Sequence, residues 1–418
     1  MMTRIDYPNI GETLYCGELP NGLRIRVVPK PGFNSFYAVF GTNYGGAMRR
    51  FELDGNMIDT PAGVAHFLEH KMFDLPNGDN ALNMLSANGA DPNAFTSSGV
   101  TCYYFRCTTK FEQNLRLLLH FVSTPWFTPE TVEKEQGIIG QEIRMVEDTP
   151  SNVLYYNLLK CLYDHHPIRD EVAGTLESIA EISDKTLYDC HKAFYAPSNM
   201  ILCVEGDVDP EQIYEIAKEE LSAERSPVPH ADYGAQEGPL PREMHMEKSM
   251  EVSMPLFAIG AKFSDLGLKD RLIATLSLRL LYGASSPFYS RLYADGILNR
   301  DFDADTDYSA GTSMLMFSGE SPDPDKVLEE IIREADELRI SDEYFERTKK
   351  AALGGRLRSL EDFDNVCVGL LIDLIDGYCS FDAPAMFEEI SKSECEQFIK
   401  ENISEEKLAM SVIYPVKK

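Results

Sequence analysis

Residues Thr60 to Phe73 read TPAGVAHFLEHKMF, a mostly apolar run that holds two histidines and a glutamate: His66, Glu69 and His70. Thr60 is of a type that caps helices and Pro61 suits a first helical position. The pattern therefore predicts a helix starting there and carrying Val64, Phe67, Leu68 and Met72 into a core. At helical period His66 and His70 stack one turn apart on one face, and Glu69 flanks it. Two imidazoles so placed can chelate one Zn²⁺ at Zn–N distances of about 2.0–2.1 Å, while the adjacent carboxylate can take a proton from a water activated by the metal. A chance H-x-x-E-H in a chain with eight histidines arises on the order of once in a hundred such chains. The other reading is a core helix whose histidines are satisfied by hydrogen bonds. Burying three such side chains without partners is costly, and a cation satisfies all three.

The rest of the chain sets the frame. Its 418 residues, 44% of them hydrophobic, suffice for a sizeable core and favour two domains over one. A formal net charge of −29 excludes nucleic acid as a partner, because a polyanion would be repelled. The opening MMTRIDYPNIGETLYCGELPNGL lacks an apolar core of signal-peptide length, and no stretch is long enough to span a bilayer, so no membrane association is expected. Nine cysteines form no C-x-x-C pair, which suits free, core-packed thiols in a reducing cytoplasm.

Organisation follows from one break. The run SPVPHADYGAQEGPLPR, Ser226 to Arg242, holds four prolines and two glycines without hydrophobic period and reads as a linker. Before it, strand-like segments (LRIRVVP, SFYAVFGTNY, TCYYFRCTT, MILCVEGDV) alternate with helix-like ones, and after it the mixture resumes from MEVSMPLFAIGAKF. The expected division is 1–225 as the metal-bearing domain, 226–245 as linker and 246–418 as a similar domain without the motif. Both are expected to be α+β, each with a mixed, mainly antiparallel sheet packed with helices.

His66-Phe67-Leu68-Glu69-His70 resembles the inverted zinc motif of the pitrilysin and mitochondrial-processing-peptidase family, the inverzincins. NAFTSSGVTCYYF, TVEKEQGIIGQEI and FYAPSNMILCVEGDVD resemble further landmarks of that family in the same order, and the likeness is closest to its bacterial YmfH-like branch. The resemblance implies a zinc metalloendopeptidase subunit forming half of a clam-shell chamber and acting on short or unfolded peptides. In that pattern a third ligand and a supporting glutamate lie seven apart on a later helix, which implies Glu142 on the zinc and Glu135 behind a ligand imidazole. Without the family pattern the same helix reads equally as a solvated acidic face, with Glu133, Glu147 and Asp148 nearby.

The resemblance further implies Glu69 as the base and one Zn²⁺ held by His66, His70 and Glu142. DPNAFTSSGVTCYYF is expected as a strand near the metal, with Asn93 and Ala94 beside a peptide added to the sheet edge; on sequence alone Asn93 could equally be a turn residue. His165 and His166, adjacent on an irregular segment, are expected to be structural or superficial. Active relatives carry R-E-x-x-G-L-x-Y in the second half. Here Ser290-Arg291-Leu292-Tyr293 continues as ADGILNRDFDAD, and none of Arg291, Arg300 or Phe302 fills the pattern. That absence implies a dimer with a homologous subunit supplying the Arg/Tyr clamp. The competing expectation is an assembly or processing subunit that keeps zinc only for structure.

Overall fold

The computed structural model describes residues 1–264 and 267–416. Among the described residues, fourteen strands build two principal sheets and one short ribbon. The first sheet takes β1 (Thr3–Tyr7), β2 (Glu12–Glu18), β3 (Arg24–Pro29), β4 (Phe36–Thr42), β7 (Ala90–Thr96), β8 (Thr101–Cys107) and β9 (Met200–Gly206). Their order is β1-β2-β3-β9-β4-β8-β7. Only β3 and β9 run parallel; every other neighbouring pair is antiparallel. β5 (Arg50–Leu53) and β6 (Asn56–Asp59) form the ribbon. The second sheet takes β10 (His245–Met250), β11 (Leu256–Lys262), β12 (Asp303–Ser309), β13 (Thr312–Glu320) and β14 (Ala409–Pro415) in the order β10-β14-β11-β13-β12. There β10 and β14 alone are parallel. Two α+β domains with mixed, mainly antiparallel sheets are therefore present, as the strand pattern predicts.

The centre of the first sheet is buried on both faces, which explains why Met200–Val204 of β9 reads as an unbroken apolar run rather than an alternating one. One face packs Phe40, Tyr103, Phe105 and Val204 against Phe67, Leu68, Ile139 and Ile143. The other packs Tyr37, Val39, Cys102 and Cys203 against Val366, Cys367, Leu370 and Leu371 of the helix Phe363–Asp376.

That helix belongs to the C-terminal half of the sequence, so the compact units are not contiguous in the chain. The first comprises Met1–Ile143, Asp170–Tyr233 and Leu357–Phe381; the second comprises Arg144–Arg169, Gly234–Arg356 and Asp382–Lys418. Two helices, Pro150–Leu162 and Phe363–Asp376, fall in a different compact unit from the bulk of the surrounding sequence. Pro150–Leu162 buries Val153, Leu158, Leu159 and Leu162 against Ala258, Met314 and Ile413 of the second sheet. An amphipathic helix specifies that it needs an apolar surface, not which sheet supplies it. The proline-rich run from Ser226 is free of regular secondary structure, and an isolated bridge from Ala231 ties it to Phe51 of the first unit.

Seven of the nine cysteines are buried, and Cys16 and Cys379 are partly so. Among the described residues, no helix is long and apolar enough to cross a membrane.

Candidate functional site

The motif helix runs Val64–Lys71, later than predicted. Thr60 is not its cap: the Thr60 N–H and Oγ1 both donate to the Arg49 carbonyl, at 2.8 and 3.0 Å, which ties the residue to the segment that leads into β5. Gly63 starts the helix instead, at a φ of +96°, with no side chain to cap it. A Cβ there would stand 2.6 Å from the Ala173 carbonyl oxygen, so both the backbone angle and the space demand glycine. Val64, Phe67, Leu68 and Met72 enter the core as predicted, at most 2% exposed.

This packing leaves His66 and His70 on the remaining face, their rings 4.6 Å apart. The second element is the helix Pro129–Glu147, held by buried Val132, Ile139, Gly140 and Ile143 and by Gln136, whose Nε2 donates to the carbonyls of Ile179 and Ile182 at 3.2 Å each. Its stripe aims Glu135 and Glu142, two turns apart, at the motif helix. Glu142 Oε1 lies 3.5 Å from His66 Nε2, and Oε2 lies 3.6 Å from His70 Nε2. Glu135 Oε1 lies 3.0 Å from His70 Nδ1.

Those separations test the metal reading. Ligands about 2.0–2.1 Å from a tetrahedral centre stand roughly 3.3–3.4 Å from one another. The two His–Glu142 distances come close to that edge length, and one ligand atom from each of His66, His70 and Glu142 lies within 4.8 Å of the others. Two imidazole nitrogens and one carboxylate oxygen suit Zn²⁺, and among the described residues this is the one such group of His, Cys, Asp and Glu. His165 and His166 are outside it: their backbone N–H groups donate to Glu237 Oε1 at 2.7 and 2.8 Å, and His166 Nδ1 accepts from the Ile168 N–H.

The electrostatics follow from the same contacts. Burial opposes a charge on His70, but the hydrogen bond with Glu135 and the fields of Glu69, Glu135 and Glu142 outweigh it, so its pKa is raised. The hydrogen bond from His66 holds Glu142 below the usual carboxylate range despite partial burial. A divalent cation would compete with protons for these same donors.

Glu69 points elsewhere. It is 8% exposed, and its Oε2 accepts from Thr96 Oγ1 at 2.7 Å. Sequence reasoning singled out Asn93 and Ala94 on that segment and missed Thr96, although it stands two residues beyond Ala94 and so shares its face.

The segment itself is a hairpin rather than one strand. β7 and β8 pair antiparallel around Ser97–Val100, and the S-S-G of that turn is the signal that marks it. β7 is an edge strand of the sheet. The Ser97 N–H donates to the Val100 carbonyl, which sets the phase of the ladder. Asp91, Asn93 and Phe95 then exchange main-chain bonds with β8, while Ala94 and Thr96 turn theirs to the open edge. Asn93 is exposed in this strand, not a turn residue, and its Oδ1 accepts from the Ala94 N–H at 2.9 Å.

In the second unit, registering R-E-x-x-G-L-x-Y on Gly296 puts Leu292 and Asn299 at the arginine and tyrosine positions. Leu292 is buried, and Asn299 Nδ2 donates to Glu320 Oε2 at 3.0 Å. Arg291 is held by Glu330 Oε2 at 2.5 Å and Glu334 Oε2 at 3.4 Å, Phe302 lies in the core, and Arg300 is exposed.

Comparison with known proteins converges on this architecture. The model of the insulinase family, peptidase family M16, matches residues 54–176, and that of the peptidase M16 inactive domain matches residues 181–352. The chain is 36% identical over 430 residues to the Bacillus subtilis protein YmfH, described as an uncharacterized zinc protease, covering 99% of this chain and 100% of that one. The chain belongs to peptidase family M16. The crystal structure of a putative M16-like peptidase from Alicyclobacillus acidocaldarius superposes on this M16 chain with a TM-score of 0.91 at 30% identity, covering 97% of this chain and 99% of the other. The periplasmic protease PqqL of Escherichia coli shares the fold, with a TM-score of 0.74 at 17% identity, and 47% of its length corresponds to 96% of this one.

Proposed function

We propose that this chain is a zinc-dependent metalloendopeptidase subunit in which His66, His70 and Glu142 hold the metal and Glu69 is the base. The observation that carries the reading is the division of labour among carboxylates: Glu142 converges with the two imidazoles, whereas Glu69, one residue from His70, is directed to Thr96 and takes no part in the cluster. A purely structural zinc has no need of a neighbouring base, and its sites close with four protein ligands, whereas catalytic sites use three. Membership of a family whose relatives are named zinc proteases supports the same assignment.

Bound zinc would supply a Lewis acid that lowers the pKa of a water and polarises the scissile carbonyl. The chain's own groups do the rest. A peptide extended along the edge of β7 pairs with the Ala94 carbonyl and with the N–H and carbonyl of Thr96, with Asn93 beside Ala94. Glu69 accepts the proton of the attacking water and passes it to the departing amine, so the reaction needs no covalent intermediate. Glu135 holds the His70 ring through Nδ1, leaving Nε2 for the metal.

Leu292 and Asn299 at the clamp positions support a second part of the proposal. The working unit is a dimer with a homologous subunit that carries the Arg/Tyr pair and closes the chamber over a short or unfolded peptide. A second copy of this chain cannot restore side chains absent from both copies. The chain alone should therefore bind one zinc yet turn over slowly, through loss of substrate positioning. Nine cysteines without a C-x-x-C pair fit a reducing cytoplasm as the compartment.

The test is cleavage of an unfolded peptide by the zinc-loaded chain, alone and with the related subunit, for wild type and Glu69→Gln. Retained zinc with most activity lost is the expected result for the variant, because the near-isosteric amide cannot accept the proton. Undiminished cleavage by Glu69→Gln would overturn its role. Full activity from this chain alone would overturn the two-subunit proposal.

A further inference from the structure

We infer that Thr96 is a positioning residue for the base, linking the peptide-binding edge to the proton acceptor; the inference rests on the peptidase reading above. Glu69 has two carboxylate oxygens and one must stay available to a water. Thr96 Oγ1 donates to Oε2 at 2.7 Å, a charge-assisted distance. The neighbours of Thr96 fix the direction of that bond. Thr101 Oγ1, whose own proton goes to the Tyr44 carbonyl at 2.9 Å, is 3.3 Å from Thr96 Oγ1, whereas the Glu69 carboxylate oxygen is closer and the better acceptor for the single Thr96 proton. The proton of Thr96 is thus left for Glu69, and the bond restricts the carboxylate to one orientation in a site where it is 8% exposed.

Thr96 also sits where two requirements meet. Its side chain reaches the motif helix, while the phase of the β7–β8 ladder turns its N–H and C=O to the open edge, beside those of Ala94. The hairpin carrying it is pinned at the tip: the N–H groups of Gly46 and Ala47 donate to the carbonyls of Ser97 and Ser98 at 2.9 and 3.0 Å. A peptide adding to this edge bonds to the backbone of the residue whose hydroxyl holds the base. Docking the substrate and aligning the base thereby act through one residue, and a substitution at Thr96 that preserves the backbone separates the two.

Thr96→Val keeps the shape and the main-chain bonds but removes the donor. It is expected to lower kcat by about 10–100-fold, the range for lost supporting contacts, with KM within about twofold of wild type, since peptide pairing uses the backbone. Thr96→Ser should recover most of kcat, because the hydroxyl returns although the methyl does not. A purely structural role would give the opposite ranking, with serine at least as impaired as valine. The second readout needs no activity: in the metal-free protein, the effects of Thr96→Val and Glu69→Met on the free energy of urea unfolding should be non-additive, since each removes one end of the same bond. Additivity, or a Thr96→Val enzyme with kcat within twofold of wild type, would overturn the inference. Should the wild-type chain cleave no peptide with or without its related subunit, the peptidase reading fails, and the unfolding cycle still decides whether Thr96 and Glu69 are coupled.

Discussion

Glu135→Ala isolates the support of a metal ligand from the ligand itself. Glu135 makes one contact with the cluster, Oε1 to His70 Nδ1 at 3.0 Å, and its side chain is 14% exposed. A hydrogen bond to a charged group of this kind contributes about 1.5–3 kcal/mol. At roughly 1.4 kcal/mol per tenfold change in affinity, its loss weakens zinc binding by about 10–100-fold, provided the bond serves mainly to fix the ring with Nε2 towards Glu142. The same range is found when supporting residues around metal-bound histidines are replaced. Glu142→Ala removes a donor outright and should cost more. Glu133 is the internal control: it lies on the same helix, is exposed, and carries the same charge, so Glu133→Ala changes only the general field. Competition against a chromophoric chelator at fixed pH gives all three dissociation constants. Zinc affinity of Glu135→Ala within twofold of wild type would refute the reasoning, as would an equal loss in Glu133→Ala.

Two further outcomes test the scaffold. Buried Glu205 has its pKa raised to about 7, first by burial and against the pull of Lys30, whose Nζ is 3.3 Å away but bonds Glu12 at 2.5 Å. A carboxyl with a raised folded pKa contributes stability that is complete below its unfolded value and is lost as pH rises through the folded one. Urea unfolding should therefore show wild type losing up to about 3 kcal/mol relative to Glu205→Gln between pH 4.5 and 8; parallel pH profiles would contradict it. Gly63→Ala combines a left-handed backbone angle with a Cβ 2.6 Å from a carbonyl oxygen, so it should cost more than the about 1–2 kcal/mol of the angle alone and weaken zinc binding by displacing the motif helix, both measurable on the same preparation.

What the sequence revealed depended on whether a local period was enough. His66, Glu69 and His70 were legible because an α-helix of any origin places residues four apart on one face, and the apolar neighbours fixed which face was buried. Glu135 and Glu142 share a face by the same geometry, but nothing in an acidic helix says what it looks at, so they needed the family pattern. The cap signal at Thr60-Pro61 misled because Thr60 spends both its polar groups on Arg49. Nothing local assigns the helices Pro150–Leu162 and Phe363–Asp376 to a unit, because their partners are distant in sequence and their amphipathicity is the same on either sheet. The Thr96–Glu69 bond was illegible for a related reason: it spans 27 positions and exists only once β7 folds beside the motif helix.

Three carboxylates close to one another would ordinarily be expected to repel and to behave alike. Here each has a different neighbour, and the neighbour sets the role. Glu142 faces two imidazoles and is held ionised by them, which suits a ligand. Glu135 touches only the far nitrogen of His70, where it can orient a ring but reach no metal bound at Nε2. Glu69 is held by a neutral hydroxyl through one oxygen, which leaves its second oxygen for a proton. It follows that losses at the three positions should differ in kind. Removing Glu142 abolishes metal binding and with it turnover, removing Glu135 weakens the metal by a finite factor that excess zinc overcomes, and removing Glu69 abolishes turnover that no zinc concentration restores. A zinc titration of peptidase activity across the three variants reads out all three roles in one experiment, and rescue of Glu69→Gln by zinc would show that the division among them is wrong.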